Sequence, residues 1–225
     1  MNMNVDPQSL KAQVAAAAVH EVPDGCLLGV GTGSTVDLFI DALAAARKPL
    51  QAAVASSERT RLRLEGHGYQ VVELSDIDRP LALYVDGADE IDSSLCMIKG
   101  GGAALTREKI VASASERFIC IVDQSKCVEV MGQFPLPIEV ITMGIKPVCW
   151  ALEALGGRPI LRPGVLTDNG HPVLDVHGLK LVNPLDWEDR LNAIPGVVTN
   201  GIFARQRASL ALVARADGVQ RLTPQ

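Results

Sequence analysis

The sequence predicts an α/β protein with two parts: a domain built on a mostly parallel sheet, and a smaller α+β domain. Three observations predict it. First, an apolar run at residues 25–30 passes through Gly31-Thr32-Gly33-Ser34-Thr35 into a stretch with Val36, Phe39, Ile40 and Leu43 at helical spacing. Strand, glycine turn and helix in that order open a parallel α/β sheet. Second, later apolar runs stop at polar residues, Asp86 and Asp123-Gln124-Ser125-Lys126. Functional groups of such sheets lie at these strand ends. Third, beyond Phe134-Pro135-Leu136-Pro137 the pattern becomes β-α-β-β-α-β, the split-βαβ arrangement. The expected division is a Rossmann-like catalytic domain of residues 1–133 plus 205–225, and a ferredoxin-like α+β domain of residues 134–204.

Each element has its own signal. Asp6-Pro7 starts a helix, with Asp as N-cap and Pro at the first helical position, and the alanine-rich run to His20 continues it. After the first strand, turn and helix (residues 36–47), a short strand is expected at 52–55, ending in Ser56-Ser57. A charged helix follows at 58–65, a third strand at 69–73 and a fourth at 81–85. Residues 106–115 read as helix and 118–122 as a buried strand. In the second domain, 138–142 reads as strand and 146–155 as a helix stopped by Gly156-Gly157. Residues 160–167 and 173–176 form a hairpin about Asp168-Asn169-Gly170, a strong turn signal. A helix at 184–193, a strand at 197–204 and a last strand at 209–214, returning to the first sheet, complete the chain.

At 225 residues and 48% hydrophobic, the chain can bury a sizeable core, mostly of Ala, Val, Leu and Ile because aromatics are scarce. The net charge is -5 with no basic block, so the positive footprint of nucleic-acid binding is missing. An anionic small molecule remains possible, since distant charge is screened over roughly 8 Å. No signal peptide is expected, and the apolar stretch 14–19 is far too short to span a bilayer. Cys26, Cys96, Cys120, Cys127 and Cys149 are scattered without a CxxC and read as buried thiols of a cytoplasmic protein.

The chain's chemistry gathers in one stretch. Tyr84-Val85-Asp86-Gly87-Ala88-Asp89-Glu90-Ile91-Asp92 carries four carboxylates, and Lys99-Gly100-Gly101-Gly102 and Glu108 follow. Neighbouring acids repel and consecutive glycines are entropically costly, so local stability does not explain the pattern, which is the mark of a site. Three readings stand: solvated loop acids, a divalent-cation site on Asp86, Asp89, Glu90 and Asp92, or Asp86 and Asp89 handling hydroxyl protons beside Lys99. Lys99 is either exposed, an oxyanion partner or a Schiff-base amine. Glu108 alone would merely complement a helix dipole. Gly29-x-Gly31-x-Gly33-Ser34-Thr35 lacks the Gly-Lys-Ser/Thr of a P-loop, and Ser34 replaces the third glycine of a dinucleotide fingerprint. Its preferred reading is phosphate binding without a nucleotide, and a plain turn is the alternative. His171 and His177 read as structural ahead of a shared metal.

With these residues assembled, the sequence resembles the ribose-5-phosphate isomerase A family over nearly its whole length. The resemblance is carried by 29–35, by Tyr84-Val-Asp-Gly-Ala-Asp-Glu-Ile91 and by Ile98-Lys-Gly-Gly-Gly-Ala-Ala-Leu-Thr-Arg-Glu-Lys109. Phe134-Pro-Leu-Pro-Ile-Glu-Val140, Gly156-Gly-Arg-Pro159, Leu166-Thr-Asp-Asn-Gly170 and Ile194-Pro-Gly-Val-Val198 extend it. It implies interconversion of ribose 5-phosphate and ribulose 5-phosphate in the non-oxidative pentose phosphate pathway, with no metal and no organic cofactor. The implied partners are a sugar phosphate and a second copy of the chain, with no nucleic acid and no membrane. Carried over, Thr32, Gly33, Ser34 and Thr35 line the site, and Lys11 and Lys126 lie near the phosphate. Asp86 and Asp89 contact sugar hydroxyls, Gly87 and Ala88 belong to the substrate site, Lys99, Gly100, Gly101 and Gly102 face the reacting end, and Glu108 is the base. An Asp86–Lys99 pair would move the ring-opening proton. Residues 56–80 depart most from the family pattern.

Two rivals remain. A sugar-phosphate-sensing regulator domain would keep the phosphate turn, dispense with Glu108 and add a DNA-binding segment. A nicotinamide dehydrogenase is opposed by the failed fingerprint.

Overall fold

A computed structural model describes residues 6–224. The first part of the chain runs α1 (Pro7–Val19), β1 (Cys26–Val30), α2 (Ser34–Ala45), β2 (Leu50–Ala55), α3 (Glu58–Gly66), β3 (Leu83–Asp86), β4 (Glu90–Ile91), β5 (Met97–Ile98), α4 (Leu105–Ser113) and β6 (Phe118–Asp123). Then come β7 (Leu136–Val140), α5 (Ile145–Ala154), β8 (Arg158–Leu166), β9 (Pro172–His177), α6 (Pro184–Asn192), β10 (Val197–Asn200), β11 (Ile202–Phe203), β12 (Leu210–Arg215) and β13 (Gly218–Leu222).

The main sheet has the order β13-β12-β6-β3-β1-β2 and is parallel except for β13. Strands β1, β3 and β6 are buried at every position, as expected where helices cover both faces of a parallel sheet. Leu28, Val30, Leu83, Val85, Ile119 and Ile121 face α1 and α2, packing on Val14, Ala18, Phe39, Ile40 and Leu43. Tyr84, Cys120 and Val122 face the other way, with Val111 of α4, Met97 and Phe203. The second sheet, β10-β7-β9-β8, is antiparallel and packs with α5 and α6 around Leu136, Ile138, Val140, Val148, Leu152, Leu174 and Leu191. A three-stranded ribbon, β11-β5-β4, joins the two. Among the described residues no helix is long and apolar enough to cross a membrane.

The α1 start is as expected: the Asp6 side chain accepts from Gln8 N at 3.2 Å. Three differences have physical causes. Residues 69–73 do not form a regular strand; they touch β2 through the single bridge Ala53–Val71 before the chain turns at Leu74–Asp76. The expected strand 197–204 breaks at Gly201 into β10 and β11. There the backbone comes so near Lys99 O that a Cβ would lie 2.3 Å from it, and Asn200 Oδ1 takes the Ile202 N–H at 2.9 Å. The unexpected β13 pairs antiparallel with β12 across the two-residue turn Ala216-Asp217, with Gly218 at φ +136° opening a strand that holds few apolar residues.

Candidate active site

The C-terminal ends of β1, β3 and β6 converge with the turn before α4 on one cavity of about 170 Å³. That is below the roughly 300–1,000 Å³ typical of drug-sized ligands, and suits a small metabolite. Its wall includes Lys11, Thr32, Gly33, Ser34, Thr35, Gly87, Ala88, Asp89, Lys99, Gly100, Gly101, Gly102, Glu108, Asp123 and Lys126. Of the residues the resemblance assigns to the site, Asp86 alone does not line it.

Asp86 instead lies behind the wall, fully buried at the end of β3. Four donors saturate its carboxylate. Oδ1 accepts from Thr32 N at 3.1 Å and Gly87 N at 2.7 Å, while Oδ2 takes the Tyr84 hydroxyl and sits 2.7 Å from Lys99 Nζ. Gly31 has no side chain because there is no room for one: a Cβ would fall 1.9 Å from Asp86 Cγ. Asp86 therefore reaches the cavity through Lys99. The expectation that it meets a sugar hydroxyl itself does not match this placement, because every face of the carboxylate is taken up by the protein.

Lys99 is 2% exposed and lies between two carboxylates, with Asp86 at 2.7 Å and Glu108 Oε2 at 3.3 Å; its Nζ also donates to Gly87 O at 2.6 Å. Burial disfavours its charge, but Asp86 and then Glu108 outweigh burial and push its pKa up. The amine stays an ammonium, which makes it a poor Schiff-base nucleophile and a good oxyanion partner.

Glu108 enters the cavity from the first turn of α4 and is 3% exposed. Its Oε2 approaches Lys99 but lacks hydrogen-bond alignment, so this buried oxygen has no hydrogen-bond partner among the described residues. Burial raises its pKa to about 8; Asp86 and Asp89 add to the rise, and Lys99 opposes it. A carboxylate tuned toward neutrality with a free lone pair on a cavity is poised to take a proton. The three neighbours of Glu108 hold α4 in place. The Thr106 hydroxyl donates to Glu139, Arg107 donates to Asp168 O at 3.0 Å, and Lys109 donates to Glu188 at 2.6 Å.

At the other end of the cavity, α2 begins without a side-chain cap. Gly33 occupies the N-cap at φ +138°, so among the described residues no side chain caps the first N–H groups of the helix, which can meet an anion. Lys11 Nζ donates to Ser34 Oγ at 2.8 Å, and Lys126 completes the cationic rim. Asp89 lines the wall between the two ends and accepts from Gly101 N at 2.8 Å.

The other two acids of the cluster are structural. Glu90 accepts from Gly132 N at 2.7 Å and Phe134 N at 2.5 Å, and Asp92 closes a turn with Ser94 N and Cys96 N. His171 pairs with the buried Glu139 at 2.8 Å. Residues missed in the sequence are Tyr84, Ser56, Ser57 and Thr60. The Thr32 hydroxyl lies 2.9 Å from Ser56 Oγ and 2.8 Å from Ser57 Oγ, and Thr60 Oγ1 donates to Gly31 O at 2.7 Å. This hydroxyl cluster braces the glycine turn from beneath. The Ser56-Ser57 pair at a strand end was its one visible signal.

Residues 52–218 match the sequence model of the family described as ribose 5-phosphate isomerase A (phosphoriboisomerase A). The chain is 54% identical over 220 residues to the ribose-5-phosphate isomerase A of Bordetella pertussis, covering 96% of both chains. It superposes on the crystal structure of ribose 5 phosphate isomerase A from Neisseria gonorrhoeae with a TM-score of 0.96 at 44% identity, covering 98% of each chain. A D-ribose-5-phosphate isomerase in complex with phospho-erythronic acid gives a TM-score of 0.94 at 36% identity, covering 97% of this chain and all (100%) of the other.

Proposed function

The chain belongs to the ribose 5-phosphate isomerase A family, and from that premise we propose that it converts D-ribose 5-phosphate to D-ribulose 5-phosphate through a cis-enediolate, with Glu108 as the base. The observation that carries the proposal is the buried carboxylate of Glu108 on the cavity wall, its Oε2 beside Lys99 at 3.3 Å but without a hydrogen-bond partner among the described residues, in a cavity also lined by the start of α2, Lys11, Ser34 and Lys126. One end suits proton abstraction and the other a phosphate.

In this reading the phosphate does not react. Its binding at the start of α2 fixes the sugar so that C1 and C2 lie beside Glu108. The furanose opens first, with the Asp86–Lys99 pair moving the hydroxyl proton and the ammonium as its cavity face. Glu108 then takes the proton from C2, the C–H electrons form the C1–C2 double bond, and negative charge passes to O1. Lys99 and the N–H groups of the glycine turn stabilise that oxygen; loss of one such donor costs about 2.7–4 kcal/mol in comparable sites. Glu108 returns its proton to C1 on the same face, and the proton on O2 passes to O1. These residues meet the charge at every step, so the proposal includes no cofactor. The domain division at 134 and 205, a cytoplasmic setting and a homodimer belong to the same proposal.

The test is an assay with ribose 5-phosphate in D₂O with and without chelator. Ribulose 5-phosphate should form at the same rate in both, with solvent deuterium entering C1 to the extent that the carboxyl exchanges. No ketose would refute the proposal, and loss of rate on chelation would refute its cofactor-free part.

A further inference from the structure

We infer that Arg162, gripped by Asp175, is a positioning residue that aims the Gly102 N–H at the reacting oxygens. The inference rests on the isomerase reading above. Arg162 lies on β8, outside the cavity wall and behind the glycine turn. Its Nε donates to Asp175 Oδ2 at 2.8 Å and its Nη2 to Asp175 Oδ1 at 2.5 Å, a two-pronged clamp from β9. The remaining nitrogen, Nη1, donates to Gly101 O at 3.1 Å and Gly100 O at 3.3 Å.

A trans peptide is planar, and its N–H points opposite to its C=O. With Gly100 O drawn toward Arg162, the Gly101 N–H must point the other way, and it does: Asp89 Oδ2 accepts it at 2.8 Å. The same rule governs the next plane. Gly101 O also faces Arg162, so the Gly102 N–H is turned to the cavity that Gly102 lines, and among the described residues no protein group accepts it. The first plane is held from several sides, because Gly100 O also takes the Ala103 N–H at 2.9 Å and Asp89 holds the Gly101 N–H. The second is not: glycine leaves its dihedrals free, and among the described residues Arg162 is the one donor to Gly101 O, so the guanidinium supplies that constraint from outside. Its charge behind both carbonyls also polarises the peptide units and strengthens their N–H groups as donors. Lysine would not replace it, since an ammonium lacks the planar fork that binds Asp175 and the turn together.

The test compares wild type with Arg162→Gln, Arg162→Lys and Asp175→Asn. It measures kcat and KM for ribose 5-phosphate, the melting temperature, and inhibition by two probes. Phospho-erythronic acid joins a phosphate to a carboxylate whose two oxygens resemble the enediolate pair, and inorganic phosphate tests only the far end. For Arg162→Gln, kcat should fall about 10–100-fold, less than the 10²–10³ for an outright lost donor, because the N–H is misaimed but not removed. KM and phosphate inhibition should stay within about threefold, while phospho-erythronic acid weakens about fivefold or more. Arg162→Lys should recover only part of kcat. If Arg162→Gln does not fold, Asp175→Asn, which keeps one acceptor for the fork, should show the same split between the probes with a smaller fall in kcat. Unchanged kcat, or parallel weakening of both probes, overturns the positioning role. A wild-type protein that makes no ketose overturns the isomerase reading instead.

Discussion

Replacing Glu108 by Gln should move activity and stability in opposite directions. The substitution keeps the shape of the side chain and removes its charge. Activity falls because the base is gone, by about 10²–10⁴-fold, the usual worth of a positioned general base. Stability behaves differently. The folded carboxyl titrates near 8 against 4.5 for an ordinary one, because burial and the nearby Asp86 and Asp89 outweigh Lys99. Between those values the folded chain holds a proton that the unfolded chain has released. The wild type therefore loses stability as pH rises through this window, at up to about 1.4 kcal/mol per pH unit. Gln carries no such charge, and Lys99 keeps Asp86 and Gly87 O as partners. At pH 5 the two proteins should melt nearly together. At pH 8.5 the variant should be more stable by a few kcal/mol, and each kcal/mol moves the midpoint about 2–4 °C in a chain of this size. The assay is calorimetry at both pH values beside steady-state turnover. A variant that melts below wild type at pH 8.5, or that turns over at near wild-type rate, would refute the reasoning. The same shift places the acid limb of wild-type kcat/KM well above the ordinary carboxylate range, with activity rising as pH increases through it.

Gly31→Ala tests the close packing on Asp86. The backbone there is not strained for alanine, so the clash of its Cβ at 1.9 Å is the whole effect. Disrupting the buried Asp86–Lys99 pair should cost about 3–5 kcal/mol and most of the activity. Gly87→Ala, whose Cβ would meet only Ile121 O at 3.6 Å, should melt close to wild type, and equal melting of both variants would count against the packing account. Lys11→Met and Ser34→Ala address the phosphate end. Each should raise KM by about tenfold with kcat little changed, and weaken inhibition by inorganic phosphate in step; a fall in kcat at constant KM would remove Lys11 and Ser34 from that role.

Much of the site was legible because its residues are close in sequence. Asp89, Lys99, the glycines and Glu108 lie within twenty positions, and both the carboxylate cluster and the triple glycine violate local stability rules. The family resemblance also sets Asp86 and Asp89 apart from Glu90 and Asp92, but not what the latter two do. Glu90 and Asp92 are consumed by backbone donors at Gly132, Phe134, Ser94 and Cys96. Those partners depend on loop paths that no spacing rule describes. Asp86 is likewise separated from Asp89 only by depth: one ends a buried strand and the other begins the wall.

By itself the sequence determined the parallel sheet, the hairpin at Asp168-Asn169-Gly170, the glycine turn before α2 and the identity of the charged groups. Periodicity, turn chemistry and capping are local, and these elements follow from them. Tertiary structure decided which groups meet. It set Lys99 between Asp86 and Glu108, removed Asp86 from the cavity, placed the Ser56, Ser57 and Thr60 hydroxyls under the glycine turn, and brought Arg162 from the second sheet to the carbonyls of Gly100 and Gly101. It also fixed the titration of Glu108, since a pKa measures how much water and how many charges surround a group, and burial is a property of the packed chain.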